Sequence, residues 1–365
     1  MNVFPTNNST ALQILKGGYT PAEEQLATAK RQFGAPFEAV SKVSLQAGAA
    51  ISAIINQASA RVDLSARTYS TAAISAQDNA TVVGGDGDDS VGAWANANVT
   101  TGDGNDTIDV HNYATVDSGA GDDSVYTYRH AKVIAGDGND RVMTADDSTV
   151  DAGAGDDYIY GYRRMQVDAG AGNDEVRVYD HANIDAGEGD DLVVAEGYST
   201  VKGGAGNDTL IDANLSSNRD AKFGFSTLDG GEGDDYIQAS NNSTVTGGTG
   251  NDVIRLMGGN ATVTFNKGDG QDMITSRDDF TLNVGGYSKD DVTVAAQGDT
   301  FVVSFKGSDE ALTLDLSSSA TARLTFDDGS TLDVTGAEGR KPLQSLRTYS
   351  DWSPTNPLTF YQEHD

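Results

Sequence analysis

The chain has 365 residues, 24 Lys and Arg against 55 Asp and Glu, a net charge of −31, and no cysteine. That balance argues against nucleic acid and anionic membrane surfaces as partners and favours cations, and the absence of cysteine excludes disulfides and thiolate metal sites. The acid is concentrated: residues 84–274 hold 35 acidic against 11 basic side chains.

Taken in order, the first nineteen residues show only a brief apolar patch at Leu12, Ile14 and Leu15. There is no basic segment followed by an apolar core, so no secretory leader is expected, and no apolar run is long enough to span a membrane. Thr20, Pro21 and Glu23 predict the start of a helix over residues 20–33. Val40, Val43, Ala47, Ile51, Ile54 and Ala58 recur at three- and four-residue steps and predict a second helix over residues 37–60. Its stripe would either cap the next unit or engage a partner.

From Gly84 a short phrase, Gly-Gly-x-Gly-Asp/Asn-Asp-x-Val/Ile, recurs eleven times. Its second glycine stands at 85, 102, 119, 136, 153, 170, 187 and 204, a step of 17 residues, and then at 231, 248 and 268. A fixed period of this size predicts a solenoid. Counting from the first residue of each phrase, position 8 is always aliphatic, from Val91 to Ile274, and position 16 nearly so, from Val99 to Val245. Alternation around both positions predicts two short strands per coil, joined by the glycine turn on one edge and a plainer bend near positions 12–13 on the other. Eleven coils at roughly 4.8 Å each would extend on the order of 50 Å. Ile74 and Val82 place an entry coil within residues 67–83. The eighth coil is longer, with extra chain in residues 214–225, either a binding insertion or a tolerated bulge.

The fold class expected is therefore mainly β: a parallel β-roll of 17-residue coils, with a short α-helical N-terminal region and a small antiparallel β domain at the C-terminus. The boundaries are 1–66 for the helical region, 67–275 for the roll, 276–336 for the β-rich domain and 337–365 for a tail. Strands are expected at 280–284, 292–295, 300–305, 311–316, 324–326 and 331–334.

The turn has its own chemistry. Its glycines permit positive φ and a tight curve that gathers carbonyl oxygens. Its sixth position is aspartate in every copy: Asp89, Asp106, Asp123, Asp140, Asp157, Asp174, Asp191, Asp208, Asp235, Asp252 and Asp272. Stacking would set these carboxylates about 4.8 Å apart, where two charges repel by about 0.9 kcal/mol in water and about 3.5 kcal/mol at an effective dielectric of 20. A hard divalent cation between coils removes that repulsion. Calcium suits a flexible shell of carbonyl and carboxylate oxygens, whereas zinc or copper would want histidine or cysteine.

The phrase GGxGxDxφx resembles the repeat of the RTX (repeats-in-toxin) family over about 190 residues. The resemblance implies a calcium-filled β-roll, type I secretion and an extracellular or cell-surface location, with the tail carrying the secretion signal. It assigns calcium to the eleven aspartates above and to the carbonyls of Gly87, Gly104, Gly121, Gly138, Gly155, Gly172, Gly189, Gly206, Gly233, Gly250 and Gly270. The family's usual repeat is nine residues with a calcium turn on both edges. One turn per 17 residues here implies a single calcium column of up to about ten sites. The run Phe326-Asp327-Asp328-Gly329-Ser330-Thr331-Leu332 resembles the closing strand pair of a domain that often follows such rolls.

No catalytic motif stands out, and His111, His130, His181 and His364 are scattered, so the chain is not expected to be an enzyme. Position 11 holds Trp94, His111, Tyr128, Tyr162 and Tyr179, and position 9 adds Tyr126 and Tyr160. These rings either stack across strands to stabilise the sheet or form a face for polysaccharide, protein or sister molecules. The function expected is a secreted calcium-binding structural protein of a cell surface or matrix. The alternative is a secreted toxin- or effector-like protein acting on another cell.

Overall fold

The computed structural model describes residues 59–65, 71–213, 224–297 and 300–336, with the backbone of three further strands at Leu12–Leu15, Val40–Lys42 and Ile51–Ile55. Each coil of the central region gives one strand to each of two sheets. Val91, Ile108, Val125 and Val142 stand directly over one another in the first sheet, and Val99, Val116, Val133 and Val150 in the second. These neighbours are parallel and 17 residues apart. The register then steps by 27 residues at Thr200↔Thr227 and by 20 at Val253↔Met273, where the chain between coils is longer.

This register follows from the pattern of side chains. A slip of one residue would turn every inward valine to solvent. The inward column of the first sheet, from Val91 to Ile274, is no more than 1% exposed anywhere. Each such side chain contributes roughly 1.5–3 kcal/mol on burial. The core is one continuous seam of these aliphatic columns, widened by alanines such as Ala97, Ala114 and Ala131 near the bend.

The bend opposite the glycine turn has a conformation that the sequence did not announce. In each coil it holds one non-glycine residue in the left-handed region: Asn96, Tyr113, His130, Asp147, Arg164, His181, Tyr198 and their successors, at φ between 55° and 67°. Such backbone costs on the order of 1–2 kcal/mol per residue. Neighbouring side chains offset part of it by stacking on one another. Tyr113 and His130 lie 4.7 Å apart, His181 and Tyr198 4.9 Å apart, and Arg164 pairs with Asp147.

The expected α-helix over 37–60 is not present. Val40–Lys42 pairs in parallel with Arg61–Asp63, and Ile51–Ile55 in parallel with Ala72–Ala76, so this stretch extends both sheets. Leu12–Leu15 adds an antiparallel strand on Ile51–Ile55. Ile51-Ser52-Ala53 and Val40-Ser41-Lys42 alternate as well as they fit a helical stripe. An open parallel sheet end, with its unpaired N–H and C=O groups, decides between the two. The helix expected over 20–33 lies outside the described residues, as does the tail 337–365.

At the other end the strands expected beyond residue 276 are present. Gln271–Ser276 continues in parallel onto Ala311–Leu316, and Phe280–Gly285 onto Thr321–Phe326. Antiparallel pairing enters here. Val292–Gln297 pairs with Thr300–Phe305, which pairs with Ala311–Leu316, and Thr331–Thr335 closes on Thr321–Phe326. Phe305 stacks between Phe265 and Tyr287, at 5.2 and 4.3 Å, and fills the core where the aliphatic columns end. Among the described residues no helix is long and apolar enough to cross a membrane.

Candidate metal centre: the stacked glycine–aspartate turns

The turn brings the eleven aspartates into one buried column, each between 1% and 4% exposed. Two glycines per coil make the column tight. Gly119 and Gly121 have φ of 106° and 123°, and the same pair recurs above and below. A Cβ on Gly136 would lie 1.8 Å from the carbonyl oxygen of Gly119, and one on Gly138 would lie 2.2 Å from that of Gly121. Carbonyls of successive turns therefore abut glycine backbone, and no side chain fits between them.

Each carboxylate reaches back one coil. The backbone N–H of Asp89 donates to Oδ1 of Asp106 at 2.6 Å, that of Asp106 to Asp123 at 2.7 Å, and that of Asp140 to Asp157 at 2.7 Å. The bond persists across both longer coils, from Asp208 to Asp235 at 2.7 Å and from Asp252 to Asp272 at 3.0 Å. Oδ1 is thus satisfied. The second oxygen, Oδ2, is buried without a hydrogen-bond partner in nine of them, Asp106 through Asp252. The Thr101 and Ser118 hydroxyls lie in this column too, but donate to the carbonyls of Ser118 and Ala135 at 2.9 and 3.0 Å.

Burial has the consequence expected of stacked acids. Desolvation, opposed by the backbone hydrogen bond and reinforced by neighbouring carboxylates, lifts Asp106, Asp140, Asp157, Asp191 and Asp235 to about 7. The same causes lift Asp272 to about 8, and Asp174, Asp208 and Asp252 to about 6. Without a cation the column holds protons near neutrality instead of carrying full charge.

These residues fit a hard divalent cation. Orphaned buried carboxylate oxygens need a positive partner, and the donor set is oxygen throughout. No group of three or more His, Asp or Glu converges at one point among the described residues, so backbone carbonyls would have to complete any shell here. That mixture matches the six to eight flexible oxygens of calcium better than the strict octahedron of magnesium.

A second ladder runs along the outer rim of the same turns, and sequence reasoning missed it. Position 5 alternates without exception from Asp88 through Asn105, Asp122, Asn139, Asp156, Asn173, Asp190, Asn207 and Asp234 to Asn251. Each backbone N–H donates to the preceding side chain, as Asn105 to Asp88 at 3.0 Å and Asp156 to Asn139 at 2.7 Å. The amides of Asn173, Asn207 and Asn251 add a second bond to the aspartate before them, at 3.1, 3.1 and 3.0 Å. Alternation sets like charges two coils apart. The signal lay in the Asp/Asn choice, readable once the 17-residue stack is drawn.

Four stretches, 134–163, 185–211, 221–243 and 239–274, match the RTX calcium-binding nonapeptide repeat. The chain carries RTX repeats. Its repeats are of the calcium-binding kind, and they coincide with the stacked turns. No curated protein matches the chain. Among solved structures, the extracellular lipase LipA from Serratia marcescens is similar over 68% of this chain and 38% of its own, at 16% identity and a TM-score of 0.24. The chain therefore spans well under half the length of that protein, and so distant a likeness carries no activity across.

The rings at positions 9 and 11 lie on the outer face of the first sheet. Trp94, His111 and Tyr128 stack in sequence at 4.7 Å, and Tyr162 stacks on Tyr179 at 5.4 Å. Trp94 is 52% exposed and Tyr128 40%. Tyr160 meets Tyr162 edge-on at 5.8 Å.

Proposed function

We propose that this chain is an exported, non-enzymatic scaffold whose roll folds as calcium fills the turn column outside the cell. The eleven turn aspartates and the carbonyls of the glycines two residues before them, Gly87 through Gly270, are the ligands in this reading. What carries it is the column of buried carboxylates whose second oxygen has no protein partner. Where calcium is scarce the acids resist stacking and the repeats stay open, which suits passage through an export channel. Where calcium is abundant each ion links two coils and folding spreads from neighbour to neighbour. The exposed ring ladder is then the contact face towards polysaccharide, protein or sister molecules at a cell surface or matrix.

Circular dichroism of the whole chain, titrated with calcium and with magnesium beside Asp140→Ala/Asp157→Ala, tests the folding step. β-Signal should rise cooperatively with calcium, not with magnesium, and the double variant should need more calcium. A chain fully folded in chelator and indifferent to calcium would end this reading. Retention of the calcium-loaded chain on producer cells, compared with Trp94→Ala/His111→Ala, tests the contact face.

A further inference from the structure

The ring ladder has one missing rung. Tyr126 and Tyr128 project from one coil and Tyr160 and Tyr162 from the coil two further on, but between them stand Met143 and Ala145. The intervening strand, Arg141–Met143, is also one residue shorter than Ser124–Thr127 and Tyr158–Gly161 on either side. A cleft of about 430 Å³ opens at this point, walled by Tyr128 and Tyr162 with Ala145 and Met143 between. Ligand clefts run from roughly 300 to 1,000 Å³, so this one suits a small molecule or one or two rings of a longer chain.

The walls are held from behind. Tyr128 stacks on His111 at 4.7 Å, and Tyr162 on Tyr179 at 5.4 Å, so each wall has one ring face covered by its own ladder. The two walls are two coils apart, roughly 9.6 Å along the solenoid. A flat aromatic ring in carbon contact with both faces spans only about 7–8 Å and would sit loose. A puckered ring with hydrogens projecting from both faces fills the gap. The rim is polar and balanced in charge. Arg129 and Asp146 line it 3.9 Å apart, and the Tyr160 hydroxyl, which donates to Tyr179 at 3.3 Å, keeps its acceptor side.

We infer that the missing rung at Ala145 is a subsite for one neutral pyranose ring of a surface glycan, sandwiched between Tyr128 and Tyr162. Its apolar faces lie on the tyrosines. Its equatorial hydroxyls meet Asp146, Arg129 and Tyr160 at the rim. The assignment rests on the reading of the ring ladder as a contact face, and gives that face a ligand class and a place.

The test is saturation-transfer NMR on the full calcium-loaded chain. The probes are cellotetraose, maltotetraose and mannotetraose, with tetragalacturonate and indole as acidic and flat controls. At least one neutral tetraose should bind, and Ala145→Tyr, which restores the rung, should weaken it at least tenfold with an unchanged dichroism spectrum. Tyr128→Ala should weaken it similarly, so the result does not hang on one variant. The subsite is overturned if none of the three neutral sugars binds, if indole or the acidic sugar binds better, or if Ala145→Tyr binds as well as the parent. It is also overturned if sedimentation shows a dimer that Ala145→Tyr dissolves, since a sister molecule then occupies the gap. Loss of cell retention in Trp94→Ala/His111→Ala alongside a neutral Ala145→Tyr would leave the contact face standing and remove only the subsite.

Discussion

Each turn aspartate does two jobs with two oxygens, and they can be separated. In Asp157, Oδ1 accepts the Asp140 N–H at 2.7 Å while Oδ2 is buried and unpartnered. Asp157→Asn keeps an oxygen for the first job and removes the charge needed for the second. In chelator it should leave the β-signal unchanged or slightly higher, because a buried acid is gone. In calcium it should lower the melting temperature, because two inter-coil sites lose a ligand. Dichroism in both conditions checks this, and a shift of the same sign in both would contradict the division of labour. The outer ladder offers the opposite experiment. Asn173 separates Asp156 from Asp190 and donates to Asp156 at 3.1 Å. Asn173→Asp puts three carboxylates about 4.8 Å apart, with about 0.9 kcal/mol of repulsion per neighbour in water. Denaturant unfolding at low salt should show a loss of about 1–2 kcal/mol, and added salt should shrink it.

At the scale of elements, the turn is stacked backbone, and its glycines are there for space as much as for φ. Gly136→Ala would force a Cβ to within 1.8 Å of the Gly119 carbonyl oxygen at a φ of 118°. The two coils cannot then keep their spacing. The variant should lose several kcal/mol, and hydrogen exchange should quicken at the junction of Gly119 and Gly136 before the distant ends. Protection lost uniformly would mean the coils do not fold as nearest neighbours. This element was legible because its chemistry is confined to few residue types, Gly and Asp at fixed spacing. The opposite bend was not legible, because Tyr, His, Asp, Arg and Phe all occupy its left-handed position and are held there by one another. The N-terminal stretch misled for a different reason. Ile51 and Ile54 satisfy a helical stripe, but the alternating Ile51 and Ala53 sit beside Ala72 and Ile74 in the sheet. A local pattern could not report that a sheet end needed covering.

For the molecule as a whole, protons and calcium compete for one column. The turn acids have folded-state values raised by burial, to about 7 in Asp106, Asp140, Asp157, Asp191 and Asp235. Their unfolded values are near 3.9. Between those limits the folded chain holds more protons than the unfolded one. Stability of the calcium-free roll is therefore fully present below about pH 4 and falls as pH rises towards 7, by about 1.4 kcal/mol per pH unit for each proton so held. Calcium requires the ionised acids, so its binding should release protons and tighten as pH rises through the same window. Two titrations decide it. In chelator, β-signal should grow on acidification from pH 7.5 to 4.5. In calcium the gain over chelator should shrink over that range at subsaturating ion. The two curves must converge towards low pH, because one column cannot hold both partners and an ion bound only by the folded chain never lowers its stability. Parallel curves would mean that the ions sit elsewhere than on the buried carboxylates, and the outer Asp/Asn ladder would be the next place to look.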